Sequence, residues 1–363
     1  MTWLVLFSVG LLPLMEDPAL LGPAQPAPVW TARFEQKDGW LGGDGAYSVA
    51  LTPQRTVWLF SDTWVGKVRN GKRTDATIVN NTVAVQDGHG DQAKLEFVVA
   101  RGKDGKPAAL ITPADGHGWF WLFGGACVEG KLYLFLAQIE KTQDPGVFGF
   151  RQVGLWLGVV VNPLDHPTAW RVTQTKLPFV EFSAQRLLSF GAAVLRDGDH
   201  LYVYGIDEAV TKGWRTKHLV AARVPVQTIA DTATWRFYRD GQWVEDFRQV
   251  SRMASGLANE CSVSYLPRRK HYVAVYTEGG LSPRILARTA PSPVGPWSAP
   301  TVLYRCPEAG WDRNIICYAA KAHPDISAPD ELLITYVANS LDFWQVARDA
   351  RLYWPRFVQV NLK

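Results

Sequence analysis

The chain has 363 residues, 47% hydrophobic and 20% charged, which excludes a disordered chain or a polyelectrolyte. Its net charge is +4, and no basic run exceeds Arg268-Arg269-Lys270, which argues against nucleic acid as the main partner. The 31 Gly, 23 Pro and many aromatics, beside 3 Met and no long helical periodicity, point to short strands and turns rather than a helical bundle.

The first element is WLVLFSVGLLPL, residues 3–14. It is shorter than the ~20 apolar residues a membrane-spanning helix needs. It fits the apolar region of a signal peptide, with small residues around Ala24 and Ala27 where a peptidase could cut. Residues 1–28 are therefore expected to be signal peptide and linker, and the mature protein to be secreted or periplasmic and free of the membrane. The alternative is an apolar tail that packs on the domain.

A repeat follows: a small polar opening, an alternating strand, a turn, then a strand rich in Tyr, Phe, Val and Leu. Its copies cover residues 43–64, 124–140, 190–208, 259–278 and 318–339. Further strand-like runs follow at 154–161, 219–226 and 285–292, and Trp-bearing segments (TAWRV, ATWRFY, GPWSAP) come next. Period-2 alternation at this spacing describes four-stranded antiparallel sheets, and five of them arranged radially make an all-β, five-bladed β-propeller. No low-complexity linker interrupts the chain, so residues 29–363 are expected to form a single domain. PRFVQVNL, residues 355–362, reads as a last strand that helps to close the ring and remove an open edge. A jelly roll or two β-sandwiches would not explain five similar hairpins. Cys127, Cys261, Cys306 and Cys317 have no zinc spacing and read as small core residues, though Cys306 and Cys317 could pair after export.

The first strand of each propeller blade lines the channel, so the residues that open it sit at one mouth. With the first turn centred near Pro53-Gln54, Asp44 falls opposite Asp62 or Thr63. Opposed residues have Cβ atoms ~4.5–5.5 Å apart, and two carboxyls so close raise one pKa. The fourth copy brings Glu260, the third Asp207 and Glu208, and the fifth Lys321, His323 and Asn339. Tyr47 and Trp64 add aromatic surface. Carboxyls ringed by aromatics and amides suit a sugar: acids for the glycosidic oxygen, flat faces for the ring. Each residue also has a plain structural reading, Asp44 as a turn residue, Asp207-Glu208 as a solvated loop and His323 as a loop histidine. No GxSxG or HExxH occurs, and the glycines of GWLGGDGAYS precede a strand rather than a phosphate-cradling helix. No cofactor is expected, with a single divalent ion near His323 as the metal alternative.

GDGAYSVAL, LFSDTWVG, VNNTVAVQ, NECSVSYL, ARTAPSPVGPW, YAAKAHPDIS and WPRFVQV together resemble the bacterial domains of unknown function 4185 and 5005, over residues 35–362. That group is similar to the five-bladed propeller glycoside hydrolases, and some 4185-type members are endo-acting D-arabinanases. The resemblance implies Asp44 and Asp62 as the catalytic pair and Glu260 as the general acid. ARTAPSPVGPW resembles an outer-strand signature of sugar-active propellers. Gly124-Gly125-Ala126 departs from it, standing where many such enzymes carry a channel-facing acid. The expected protein is thus a monomeric glycoside hydrolase of a polysaccharide or oligosaccharide, furanosides included. Asp44, Asp62 and Glu260 would be catalytic, with Asp44 as nucleophile or base, and Tyr47, Trp64, Asn81, Asp207, Arg288, Lys321, His323 and Asn339 would contact substrate. A non-catalytic carbohydrate- or protein-binding propeller is the rival.

Overall fold

The computed structural model describes residues 20–363 except 145, 212 and 213; the apolar run at 3–14 lies outside them. Among the described residues the strands form seven antiparallel sheets, five of them with four strands or more. The first large sheet runs Tyr47–Thr52, Arg55–Phe60, Thr82–Asp87, Lys94–Val98. The second runs Trp119–Val128, Lys131–Lys141, Phe150–Val160, Val172–Lys176. The third is centred on Arg186–Asp197, His200–Thr211 and Trp214–Pro225. The fourth runs Cys261–Leu266, His271–Thr277, Arg284–Ala290, Thr301–Arg305. The fifth runs Ile315–Ala322, Glu331–Ser340, Pro355–Leu362, Leu21–Pro26. The first strands of successive sheets pack side by side, Tyr47–Thr52 on Trp119–Val128 and so on to Ile315–Ala322.

Sequence chemistry explains these layers. Tyr47–Thr52 alternates buried and half-buried positions, whereas Arg55–Phe60 is buried along nearly its whole length because sheets cover both its faces. The third sheet has seven strands rather than the expected four. Asp240 and Gly241, at φ +47° and +84°, make a tight hairpin turn that folds Gln242–Val244 back onto Arg236–Arg239. The fifth sheet takes its outer strand from the N-terminal side, where Ala24 pairs with Val360 and Gln25 with Gln359. Ordered structure therefore begins upstream of residue 29, and Leu21–Pro26 covers the edge of Pro355–Leu362. The helix Pro28–Phe34 then wedges between the first and fifth sheets. Phe34, fully buried, meets Trp40, Trp58, Phe60, Phe97 and Phe357. No described helix is long and apolar enough to cross a membrane.

Two irregularities position the site. The first hairpin does not continue through residue 44. Its ladder pairs Tyr47 with Leu59, breaks, and resumes in a separate three-stranded sheet where Gly43 pairs Thr63. The break is held by Asp44 N donating to Asp62 O at 3.2 Å and Ser61 N donating to Asp44 O at 3.0 Å. Gly42 and Gly43 are obligatory there, since a Cβ on Gly42 would lie 2.5 Å from Tyr353 O, and one on Gly43 2.8 Å from Thr63 Oγ1. Bulges also interrupt the first strands of three sheets, at Leu122–Gly125, Phe190–Ala193 and Tyr318–Lys321. Such bulges re-aim side chains. A Cβ on Gly125 would stand 2.6 Å from Tyr133 O, so close packing accounts for the glycines found where an acid was expected.

Candidate active site

The break at Asp44 opens onto a cavity of about 830 Å³. Asp44, Asp62 and Glu260 all line it. The two aspartates come from the two sides of the interrupted hairpin, as the turn at Pro53-Gln54 predicts. Asp44 Oδ2 accepts hydrogen bonds from Tyr318 Oη at 2.8 Å and Tyr353 Oη at 3.0 Å. Its Oδ1 is shielded from solvent and has no partner among the described residues. Asp62 Oδ1 accepts from Trp121 Nε1 at 2.9 Å and Asn80 Nδ2 at 3.1 Å.

These surroundings push both carboxyls up. Burial raises Asp44 well above the ordinary carboxyl value, and the charges of Asp62 and Glu260 add to it, while the two tyrosine hydroxyls pull it back. Burial also raises Asp62, against the opposing hydrogen bonds from Trp121 and Asn80. The backbone is strained at the same place. Ala46, Ala319 and Tyr353 take left-handed φ values of +48°, +61° and +72°. Such conformations cost about 1–3 kcal/mol each and concentrate where geometry serves function. Tyr353 is kept there by Arg73, whose buried guanidinium donates to the carbonyls of Leu41, Val346, Asp349 and Leu352. Burial lowers Arg73 to about 10, with the charges of Tyr353 and Asp349 opposing that fall.

The other predicted residues divide. Glu260 Oε1 accepts from Lys321 Nζ at 3.1 Å; that ammonium also donates to Ala319 O and sits 4.3 Å from the centre of the Tyr47 ring. Lys321 and Tyr47 are buried, so they support Glu260 from below instead of facing a ligand. Trp64 lines the cavity beside Phe343, and Asn339 lines it while donating to Tyr318 Oη at 3.2 Å.

Four residues lie elsewhere. Asn81 is fully buried and satisfies the backbones of Ile111 and Phe120. Its neighbour Asn80 reaches the site instead. Asp207 is locked between Arg186 and Arg252, while Glu208 lines the cavity. Arg288 is spent on Tyr276 Oη and the carbonyls of Ser298 and Ser255. His323 is buried against Trp58, its ring nitrogens bonded to Ser48 and Thr335 at 2.7 Å each. Burial lowers it to about 3. With both nitrogens engaged, His323 offers no ligand to a divalent ion.

Tyr318, Tyr353, Asn80 and Trp121 went unrecognised. Tyr318 opens the fifth repeat, which could have marked it, whereas Tyr353 sits in a loop without strand periodicity. Trp121, Phe123, Phe148 and Phe150 give the cavity an aromatic wall, with Trp121 and Phe150 edge to face at 4.6 Å between ring centres.

Residues 29–362 match the domain of unknown function DUF5005. The chain belongs to this family. Among solved structures, a candidate hydrolase from Bacteroides ovatus superposes with a TM-score of 0.73 at 19% identity, over 93% of this chain and 90% of that one. The two chains share their fold. The GH43_1 enzyme of Xanthomonas citri complexed with xylotriose reaches a TM-score of 0.48 at 14% identity, covering 94% and 90%. The catalytic domain of the Coprinopsis cinerea GH62 alpha-L-arabinofuranosidase reaches 0.44 at 10%, covering 94% and 95%. No curated protein matches the DUF5005 chain.

Proposed function

We propose that this DUF5005 protein is a glycoside hydrolase in which the five large sheets are the blades of a β-propeller. It would act as a monomer outside the cytoplasm on a polysaccharide or oligosaccharide, furanoside-bearing glycans included. The observation that carries the proposal is the Asp44–Asp62 pair, two raised carboxyls lining one cavity. Acetal hydrolysis needs one carboxyl to protonate the leaving oxygen and another to attack or to activate water. Two coupled buried acids share a proton and so supply one of each. Asp44, raised further because the charges of Asp62 and Glu260 add to its burial, would hold the proton. Asp62, stabilised by Trp121 and Asn80, is then the carboxylate, which reverses the division of roles expected from sequence. Glu260, held by Lys321, is a further acid at the cavity and would contact the departing sugar.

A panel of furanoside- and pyranoside-linked glycans, assayed for new reducing ends, tests this. Release by the wild type and none by Asp44→Asn is the expected result. Glycan retention without release by the wild type would instead make the protein a binding propeller.

A further inference from the structure

The third and fourth sheets bring a second group of charges to the cavity. Glu208 and Lys217 are opposed across the strands His200–Thr211 and Trp214–Pro225, and Arg215, two residues before Lys217, shares their face. Arg215 Nη1 pairs with Glu208 Oε1 at 2.6 Å. Glu260 is neutralised by Lys321 from below. Lys217 lines the cavity, yet no described residue gives its ammonium a hydrogen bond or an ion pair. Its strand is fixed, since its own carbonyl accepts from Gly256 N at 2.9 Å and Leu257 N at 3.3 Å, just before Glu260. The ammonium lies beside Gly280, where a Cβ would stand 2.9 Å from Lys217 Nζ. On this wall two carboxylates, Glu208 and Glu260, face three cations, Arg215, Lys217 and Lys321. One positive charge is left over, half-buried. Burial already lowers the Lys217 pKa, with Glu208 and Glu260 opposing that fall. An unpaired ammonium in such a place is costly unless a ligand completes it.

We propose that Lys217 receives an anionic group of the substrate, so that the cavity takes an acidic sugar, bearing a ring carboxylate or a sulfate ester, in preference to its neutral counterpart. This rests on the glycoside hydrolase proposal but is tested through binding. A lysine supplies a compact point charge that matches either anion.

The experiment is an array of neutral, uronate-bearing and sulfated fragments built on shared backbones, probed with the wild type, Lys217→Met and Lys217→Arg. Urea midpoints no lower than that of the wild type would show that the variants fold. The wild type should retain one acidic class about tenfold more tightly than the neutral fragments, as expected of one charge-assisted contact. Lys217→Met should erase that ratio and Lys217→Arg should keep most of it. The array shows which anion is bound. Equal retention of neutral and acidic fragments, an unchanged ratio in Lys217→Met, or no retention at all would overturn the assignment. Cleavage of neutral glycans without acidic preference would remove this inference and leave the hydrolase. Retention of acidic fragments without cleavage would do the reverse.

Discussion

Replacing Asp44 by Asn should stabilise the protein while disabling it, and the gain should depend on pH. Burial, Asp62 and Glu260 raise the Asp44 carboxyl above its ordinary 3.8 in the folded state. The folded chain therefore holds a proton that the unfolded chain releases. As pH climbs from the ordinary value through the raised one, Asp44 progressively subtracts from stability, and above both values the deficit is constant. Below the ordinary value it vanishes. In Asp44→Asn the amide oxygen can still accept from Tyr318 and Tyr353, so those bonds survive without the charge. The amide nitrogen that takes the Oδ1 place is also without a partner, so the gain is the extra cost of a charged over a neutral buried group, about 1–3 kcal/mol. At roughly 2 °C per kcal/mol for a large domain, this is about 2–6 °C in Tm near pH 8. Thermal unfolding of both proteins from pH 3 to pH 8 measures it. A variant that melts below the wild type at pH 8, or a gain that does not shrink on acidification, would refute the reasoning.

Tyr353→Phe removes a hydroxyl that pulls the Asp44 pKa down, so the alkaline limb of the hydrolysis profile should move upward in pH and kcat should fall. Arg73→Met leaves several buried carbonyls without their donor and frees the loop that carries Tyr353; a loss of about 3–5 kcal/mol is expected in urea unfolding. Deleting residues 1–26 uncovers the edge of Pro355–Leu362, which should lower the urea midpoint and promote self-association visible by light scattering.

The parts of this site legible in the sequence are those fixed by hairpin register. A turn at Pro53-Gln54 sets Asp44 against Asp62 or Thr63 by counting residues; the register shift between Ala50 and Thr52 selects Asp62, and that opposition survives even though the ladder breaks between them. Register could not choose between neighbours. Asn80 or Asn81, and Asp207 or Glu208, differ by one position, and one position turns a side chain to the other face. The bulge at Phe190–Ala193 shifts this parity along the third sheet, and alternation alone does not reveal it. Tyr353 was illegible for another reason. It sits in a loop at φ +72°, placed by Arg73 from a strand 280 residues earlier in the chain, and no local pattern encodes such a contact. Lys321 and His323 carry polar chemistry, but burial turns the one into a support for Glu260 and the other into a neutral core group.

The most direct test compares glycan hydrolysis by the wild type, Asp44→Asn and Asp62→Asn on the best substrate of the panel, with unfolding followed in parallel. General acid–base catalysis supplies about 10²–10⁴-fold, so each variant should lose at least that much in kcat while melting no lower than the wild type. Near-wild-type turnover in either well-folded variant would contradict the assignment of the acid pair.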